Sequence, residues 1–396
     1  MCMRRFRILL ITAVIIPWLA GCWNRIEVND IAIVTATGLD RMKDGNIRLS
    51  LQVGIPANLG PVGGGEKSRP GDGTFVISAT SATISDAYSK LQEKLARQIF
   101  FSHSRVLIIG EKLARNGMSE VIDFYTRYEE PRIMSLIMFT KGEAARVLKA
   151  KAKLESVPAE ETRELTKLGI GLKVSIKEFW QMLLTEGIEP VAPQLKLQPL
   201  ETKSETESQT KNRSAEKIQA TQGAAVFKKG KLIGWMNDKE TRGILWLRNE
   251  LKTGIITVHF PREQGGGKTS AKIIKATTDI NPKLQGDKLK IEVNVRSEAA
   301  ILENTSKMNL NDSKVIKLLQ KDLEEEVQNL IQLTLNKAQK QFHSDIFGFG
   351  RTVYQAYPKE WNKQYKQKWD EEFRELKVTI KPKVIVTRTG FTKATK

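Results

Sequence analysis

The sequence predicts an α+β protein of more than one domain, with a mixed α/β N-terminal half and a C-terminal half in which an antiparallel meander sheet is packed by a long helix. Three observations carry this. Leu289, Ile291, Val293, Val295, Ala299 and Ile301 alternate with Lys290, Glu292, Asn294, Arg296 and Glu298, the period of a strand with one buried face. Val315, Leu319, Leu323, Val327, Leu330 or Ile331, Leu335, Ala338 and Phe342 recur at helical spacing. Between the halves, Glu201 to Ser214 contains no apolar residue, so nothing there can repay the entropy of ordering. The expected division is a signal peptide at 1–21, an α+β region at 22–200 with room for two subdomains, a polar linker at 201–217, and a second α+β domain at 218–396.

Taken in order, Met1 to Arg7 is short and basic, and Ile8 to Leu19 is apolar. That run falls short of the ~20 residues a helix needs to cross a bilayer, but suits the core of a signal peptide. Leu19-Ala20-Gly21-Cys22 follows. It resembles the bacterial lipobox, which implies a diacylglycerol on the Cys22 thiol and removal of the preceding residues. Two acyl chains anchor a protein stably, at ~0.8 kcal/mol per buried CH₂. The other cysteine, Cys2, leaves with the signal peptide, so no thiol remains for a disulfide, a metal or nucleophilic catalysis.

Ile31 to Thr37 and Ile47 to Ile55, joined at Asp44-Gly45, read as a hairpin. Gly60 to Gly73 is a Gly- and Pro-rich loop. Phe75 to Ala79 reads as a strand, Ile84 to Leu95 as a helix, Arg105 to Gly110 as a buried strand, 112–128 as helical, and Ile133 to Thr140 as a strand. Ser175 and Glu178 form a capping box ahead of Phe179, Trp180, Met182 and Leu183. In the second half, a hairpin over Ala225 to Trp235 precedes strands at 254–260, 271–280 and 289–302. A last strand spans Leu376 to Val386, with Pro382 marking an edge.

The net charge is +19; taking Arg4, Arg5 and Arg7 from the 64 Lys and Arg leaves 61 against 45 acidic residues, or +16. Such an excess suits an anionic membrane surface, which a lipid-anchored chain meets first. No motif supports nucleic acid as a partner. Gly266-Gly267-Lys268-Thr269 lacks the first glycine of a phosphate-binding loop, since Arg262 stands there, and a strand follows where a helix is needed. His103, His259 and His343 stand in unrelated contexts, with no metal-ligand spacing and no nucleophile motif. No catalytic residue, metal site or cofactor is expected. Trp361, Tyr365 and Trp369 fall on one helix face among Lys363, Lys366 and Lys368. Together with Phe347, Gly348, Phe349 and Gly350, Trp361 and Trp369 are either core packing or a surface for a partner or lipid.

Three stretches resemble the C subunits of bacterial spore germinant receptors, the Ger(x)C lipoproteins. They are CWNRIEVNDIAIVTATGLD (22–40), RQIFFSHSRVLIIGEKLARNG (97–117) and DIFGFGRTVYQAYPKEWNKQYKQKWDEEF (345–373) with the closing RTGF (388–391). The resemblance implies a non-catalytic lipoprotein on the outer side of the spore inner membrane. Its implied partners are a germinant-receptor A subunit and a permease-like B subunit. The only site residue it carries over is Cys22. Two other classes stay open: a lipid-anchored solute-binding protein, which needs two similar lobes, and a surface hydrolase, which needs a polar cluster.

Overall fold

A computed structural model describes residues 3–6, 27–56, 73–128, 130–199, 217–286 and 288–390. Cys22, most of the 60–73 loop and most of the 201–217 linker lie outside them.

The first half runs β1 (Ile31–Arg41), β2 (Ile47–Gly54), β3 (Thr74–Ser81), α1 (Ile84–Gln92), β4 (Gln98–Phe100), β5 (Val106–Gly110), α2 (Glu111–Asn116) and α3 (Ser119–Arg127). It continues through β6 (Leu136–Thr140), α4 (Ala144–Leu148), α5 (Pro158–Lys167), α6 (Ile176–Leu184) and β7 (Val191–Pro199). The capping box at α6 is formed: the Glu178 amide donates to Ser175 Oγ at 3.2 Å, and the Ser175 amide to Glu178 Oε2 at 2.7 Å.

Among the described residues the strands form two sheets, of nine and four strands. In the first, β1 pairs antiparallel with β2 and parallel with β5, and β5 with β6 and β6 with β7 are also parallel. The β5 segment is apolar throughout because both its faces are covered. Val106 and Ile108 turn toward α4 and the start of α5; Leu107 and Ile109 turn toward α1, α2, α3 and α6.

The sheet does not end at the polar linker. β8 (Lys217–Lys228) pairs antiparallel with β7, and β9 (Lys231–Met236) with β8. The hairpin assigned from sequence to the second domain therefore closes the first sheet. Side-chain alternation gives the reason: Ala225, Phe227 and Leu232 enter the first core, while Ala224, Val226 and Met236 enter the second. A two-faced strand of this kind is a wall between cores.

The second half continues with α7 (Asp238–Leu247), β10 (Gly254–His259), β11 (Lys268–Gln285), β12 (Lys288–Asn304) and α8 (Ser313–Asn336), which runs on as a wider turn to Phe342. Then come α9 (Phe349–Ala356), short helical turns, α10 (Trp369–Glu375) and β13 (Lys377–Arg388). β10, β11 and β12 form the expected antiparallel meander. β13 departs from it by pairing parallel with β12. A parallel partner needs a crossover, and α8 with the helical stretch after it supplies one. The α8 stripe holds: Leu319, Leu323, Val327, Ile331, Leu335 and Ala338 are all buried. The glycines at 265–267 form the β10–β11 turn, where the Phe260 amide donates to the Gly267 carbonyl at 3.0 Å.

The two sheets differ in topology, unlike the paired lobes of a solute-binding protein. Among the described residues no helix is long and apolar enough to cross a membrane.

Candidate functional site: two buried carboxylates

Two of the recognisable sequence stretches carry a buried carboxylate. Asp40 closes Gly38-Leu39-Asp40 at the end of β1. Its Oδ1 accepts the Ala144 amide at 2.6 Å and its Oδ2 the Ala145 amide at 3.0 Å, which caps the first turn of α4. Arg48, from β2, donates to Asp40 at 3.0 Å and to Glu143 at 2.8 Å. Two glycines make room. A Cβ on Gly110, at the end of β5, would overlap the Asp40 carboxylate; one on Gly38 would press on Ala144 and Leu148. The 22–40 and 97–117 stretches thus lie side by side as β1 and β5, and meet at Asp40.

Asp345 opens the third stretch. One oxygen accepts the amides of Phe347, Gly348 and Phe349 at 3.3, 2.9 and 3.1 Å. The other accepts the Gly350 amide at 2.8 Å and Trp369 Nε1 at 3.1 Å. Gly348 makes the loop possible, since its φ of +80° lies where only glycine sits without strain. Burial pushes the Asp345 carboxyl up to about 6, while the amides and the indole that donate to it pull the other way.

The junction also ties the halves together. The Asp345 carbonyl accepts the Glu189 amide at 2.8 Å, and the Arg351 amide donates to the Gly187 carbonyl at 2.9 Å. Lys228 of β8 donates to the His343 carbonyl at 2.6 Å and pairs with Asp370 at 3.3 Å. Ser344 Oγ donates to the Phe227 carbonyl at 2.6 Å. Glu189 sits beside them, its carboxyl raised by burial, with the nearby Asp370 and Asp345 pushing the same way and the Lys229 amide pulling against them.

All six residues singled out as candidate partner contacts are buried here. The rings of Phe347 and Phe349 meet at a tilt with centroids 5.3 Å apart, as do those of Trp361 and Trp369 at 5.3 Å, and Trp369 meets Phe373 at 6.4 Å. A Cβ on Gly350 would strike the Trp369 indole. The helical face through Trp361, Tyr365 and Trp369 points inward, while Lys363, Lys366 and Lys368 point out. Within this chain the rings of Phe347, Phe349, Trp361 and Trp369 close the end of α8 and seat the Asp345 loop. Asp345 itself was quoted within its stretch but not singled out. The available signal was an acidic residue immediately before Ile-Phe-Gly-Phe-Gly, where successive amides can converge on one acceptor.

Chemically, both carboxylates are occupied by N–H donors, which suits fixed architecture more than proton transfer. Among the described residues no three His, Cys, Asp or Glu side chains stand together as a metal-binding group. Fold and site together define a two-sheet α+β protein with buried carboxylates at the junctions between its elements.

Comparison with known proteins places that architecture. Residues 24–197 match the family described as spore germination protein N-terminal domain, and residues 222–390 the one described as spore germination B3/GerAC like, C-terminal. YfkR of Bacillus subtilis (strain 168) is 31% identical over 373 residues, covering 94% of each chain. Spore germination protein KC of the same organism is 29% identical over 394 residues, covering 97% of this chain and 95% of that one. The crystal structure of the GerBC protein shares the fold, with a TM-score of 0.58 at 20% identity, covering 89% of this chain and 97% of that one. The chain belongs to this spore germination B3/GerAC-like family.

Proposed function

We propose that the protein is the lipid-anchored C subunit of a nutrient germinant receptor, held on the outer face of the spore inner membrane through Cys22. It assembles there with membrane A and B subunits and acts as a non-catalytic scaffold or signal-transmitting component. The observation that carries this reading is similarity along nearly the whole chain to relatives named spore germination proteins. The order of basic residues, apolar run and Leu19-Ala20-Gly21-Cys22 supports the anchor. The occupied state of Asp40 and Asp345 supports a structural role for the family stretches.

Recovery of the tagged protein from spore membranes, with its companions identified by mass spectrometry, tests the assembly. A permease-like subunit and an A-type subunit are expected; their absence, with a solute transporter in their place, would sink the proposal. Cys22→Ala should abolish labelling by a fatty-acid analogue. Equal labelling of the variant would refute the anchor alone and leave the receptor reading standing.

A further inference from the structure

The second sheet treats its two edges differently. β13 is the outer strand on one side, and α8 covers it: Glu324 accepts the Val384 amide at 3.1 Å, and Gln320 the Val386 amide at 3.0 Å. Pro382, two residues before Val384, has no amide to offer. This is how proteins protect a strand edge from stray pairing.

β10 is the outer strand on the other side, and it has no such cover. The Phe260 amide bonds inward to Gly267, which sets the even-numbered residues of the strand toward β11. The close pair Thr257 Oγ1 and Ser270 Oγ, at 2.9 Å, is what a non-hydrogen-bonded pair produces. Ile255, Thr257 and His259 therefore turn their backbone groups outward. Among the described residues only the Ile255 carbonyl is taken, by Arg242 at 2.9 Å.

Beside this edge lies a groove of about 560 Å³ between β10, α7 and α8. Trp246, 1% exposed, lines it, and its indole N–H has no acceptor among the described residues. The α8 wall presents Asp322, Glu325 and Glu326, none of them in an ion pair among the described residues, while the opposite α7 wall carries Lys239 and Arg242, the latter turned onto the Ile255 carbonyl. Burial and the neighbouring Glu325 push the Asp322 carboxyl up, against a weaker pull from Lys321, so a cation brought alongside would relieve it.

We infer that β10 and this groove form a docking site for an extended, basic segment of a partner protein, which adds a strand to β10 and sets lysines or arginines against Asp322, Glu325 and Glu326. The six residues of β10 give room for a strand of about 20 Å at roughly 3.3 Å per residue. Main-chain bonds supply affinity in such strand addition, and the side chains supply choice of partner.

The test uses the full chain in detergent and a fluorescent octapeptide of alternating Lys and Val, read by anisotropy. The same peptide methylated on alternate amides, and a Glu/Val counterpart, serve as controls. The Lys/Val peptide should bind, the Glu/Val peptide should not, and the methylated one should bind at least about tenfold more weakly. E325K/E326K alters two exposed side chains, should leave thermal melting unchanged, and should weaken binding by about tenfold. Thr257→Pro removes an outward amide and should act likewise. Failure of the Lys/Val peptide to bind at millimolar concentration would overturn the proposal, as would equal binding of the methylated peptide or an unchanged affinity of E325K/E326K. If E325K/E326K instead dissociated an oligomer of the chain, the occupant would be a second copy and the partner assignment would fall.

Discussion

A carboxylate without water around it persists only where donors replace the water, and Asp345 has five of them. Both oxygens accept, so Asp345→Asn must turn an NH₂ toward at least two N–H groups. Its expected cost is about 1–3 kcal/mol for each donor left unpaired. The pH dependence has a definite sign. The folded-state carboxyl stands at about 6 against an ordinary 3.8, so the fold binds this proton more tightly than the open chain does. The group's contribution is thus complete below about 3.8 and is lost as the pH rises through about 6, a swing of at most about 3 kcal/mol at 1.36 kcal/mol per pH unit. Urea unfolding of wild type and Asp345→Asn from pH 4 to 7 should show the gap between them narrowing as pH rises. A widening gap would mean that the donors outweigh burial. The role of Asp40 could not be read from sequence, since its amide donors lie more than a hundred residues away and an isolated Asp is most often a solvated one, whereas Asp345 left a signal in the Ile-Phe-Gly-Phe-Gly that follows it.

At the scale of elements, α7 and α8 cross closely at Gly243, where a Cβ would overlap the Thr334 hydroxyl and approach the Leu330 carbonyl at 3.0 Å. Thr334 Oγ1 is already committed near the Glu240 carbonyl at 2.9 Å, and Lys337 pairs with Glu240 at 2.8 Å. Helix propensity alone would make Gly243→Ala stabilising by about 0.5–1 kcal/mol. Overpacking costs about 1–3 kcal/mol, and the crowding here involves main chain as well as a hydroxyl. A fall in melting temperature is therefore expected, and a rise would show that the helices can part cheaply. The contrast between α7 and α8 also marks what sequence could reveal. α8 has a narrow buried stripe and was legible; α7 buries Gly243 to Leu247 without a break, so no period appears, although Asn237 and Glu240 form a capping box at its start. α4 has five residues, too few for a pattern. β13 alternates as expected, but alternation is the same for parallel and antiparallel partners, so its direction came only from the crossover.

The whole molecule joins its two largest cores through β8, and this bears on the proposed division of the chain at 201–217. Glu201 to Ser214, free of apolar residues, should be the first segment a protease cuts. Cleavage there separates β7 from β8 in sequence and leaves them paired from Val191↔Val226 to Pro199↔Lys217. The fragments would also be held by the Glu189 amide on the Asp345 carbonyl, by the Arg351 amide on the Gly187 carbonyl, and by Ala225, Phe227 and Leu232 buried in the first core. Separating them would expose apolar surface at about 25 cal/mol per Å² and orphan a row of backbone groups. Limited proteolysis should therefore give two bands on a denaturing gel and one peak on native size exclusion, with the fragments parting only in denaturant. Two native peaks would mean that the N-terminal half closes its core without β8, and a first cut inside β12 or α8 would move the division elsewhere.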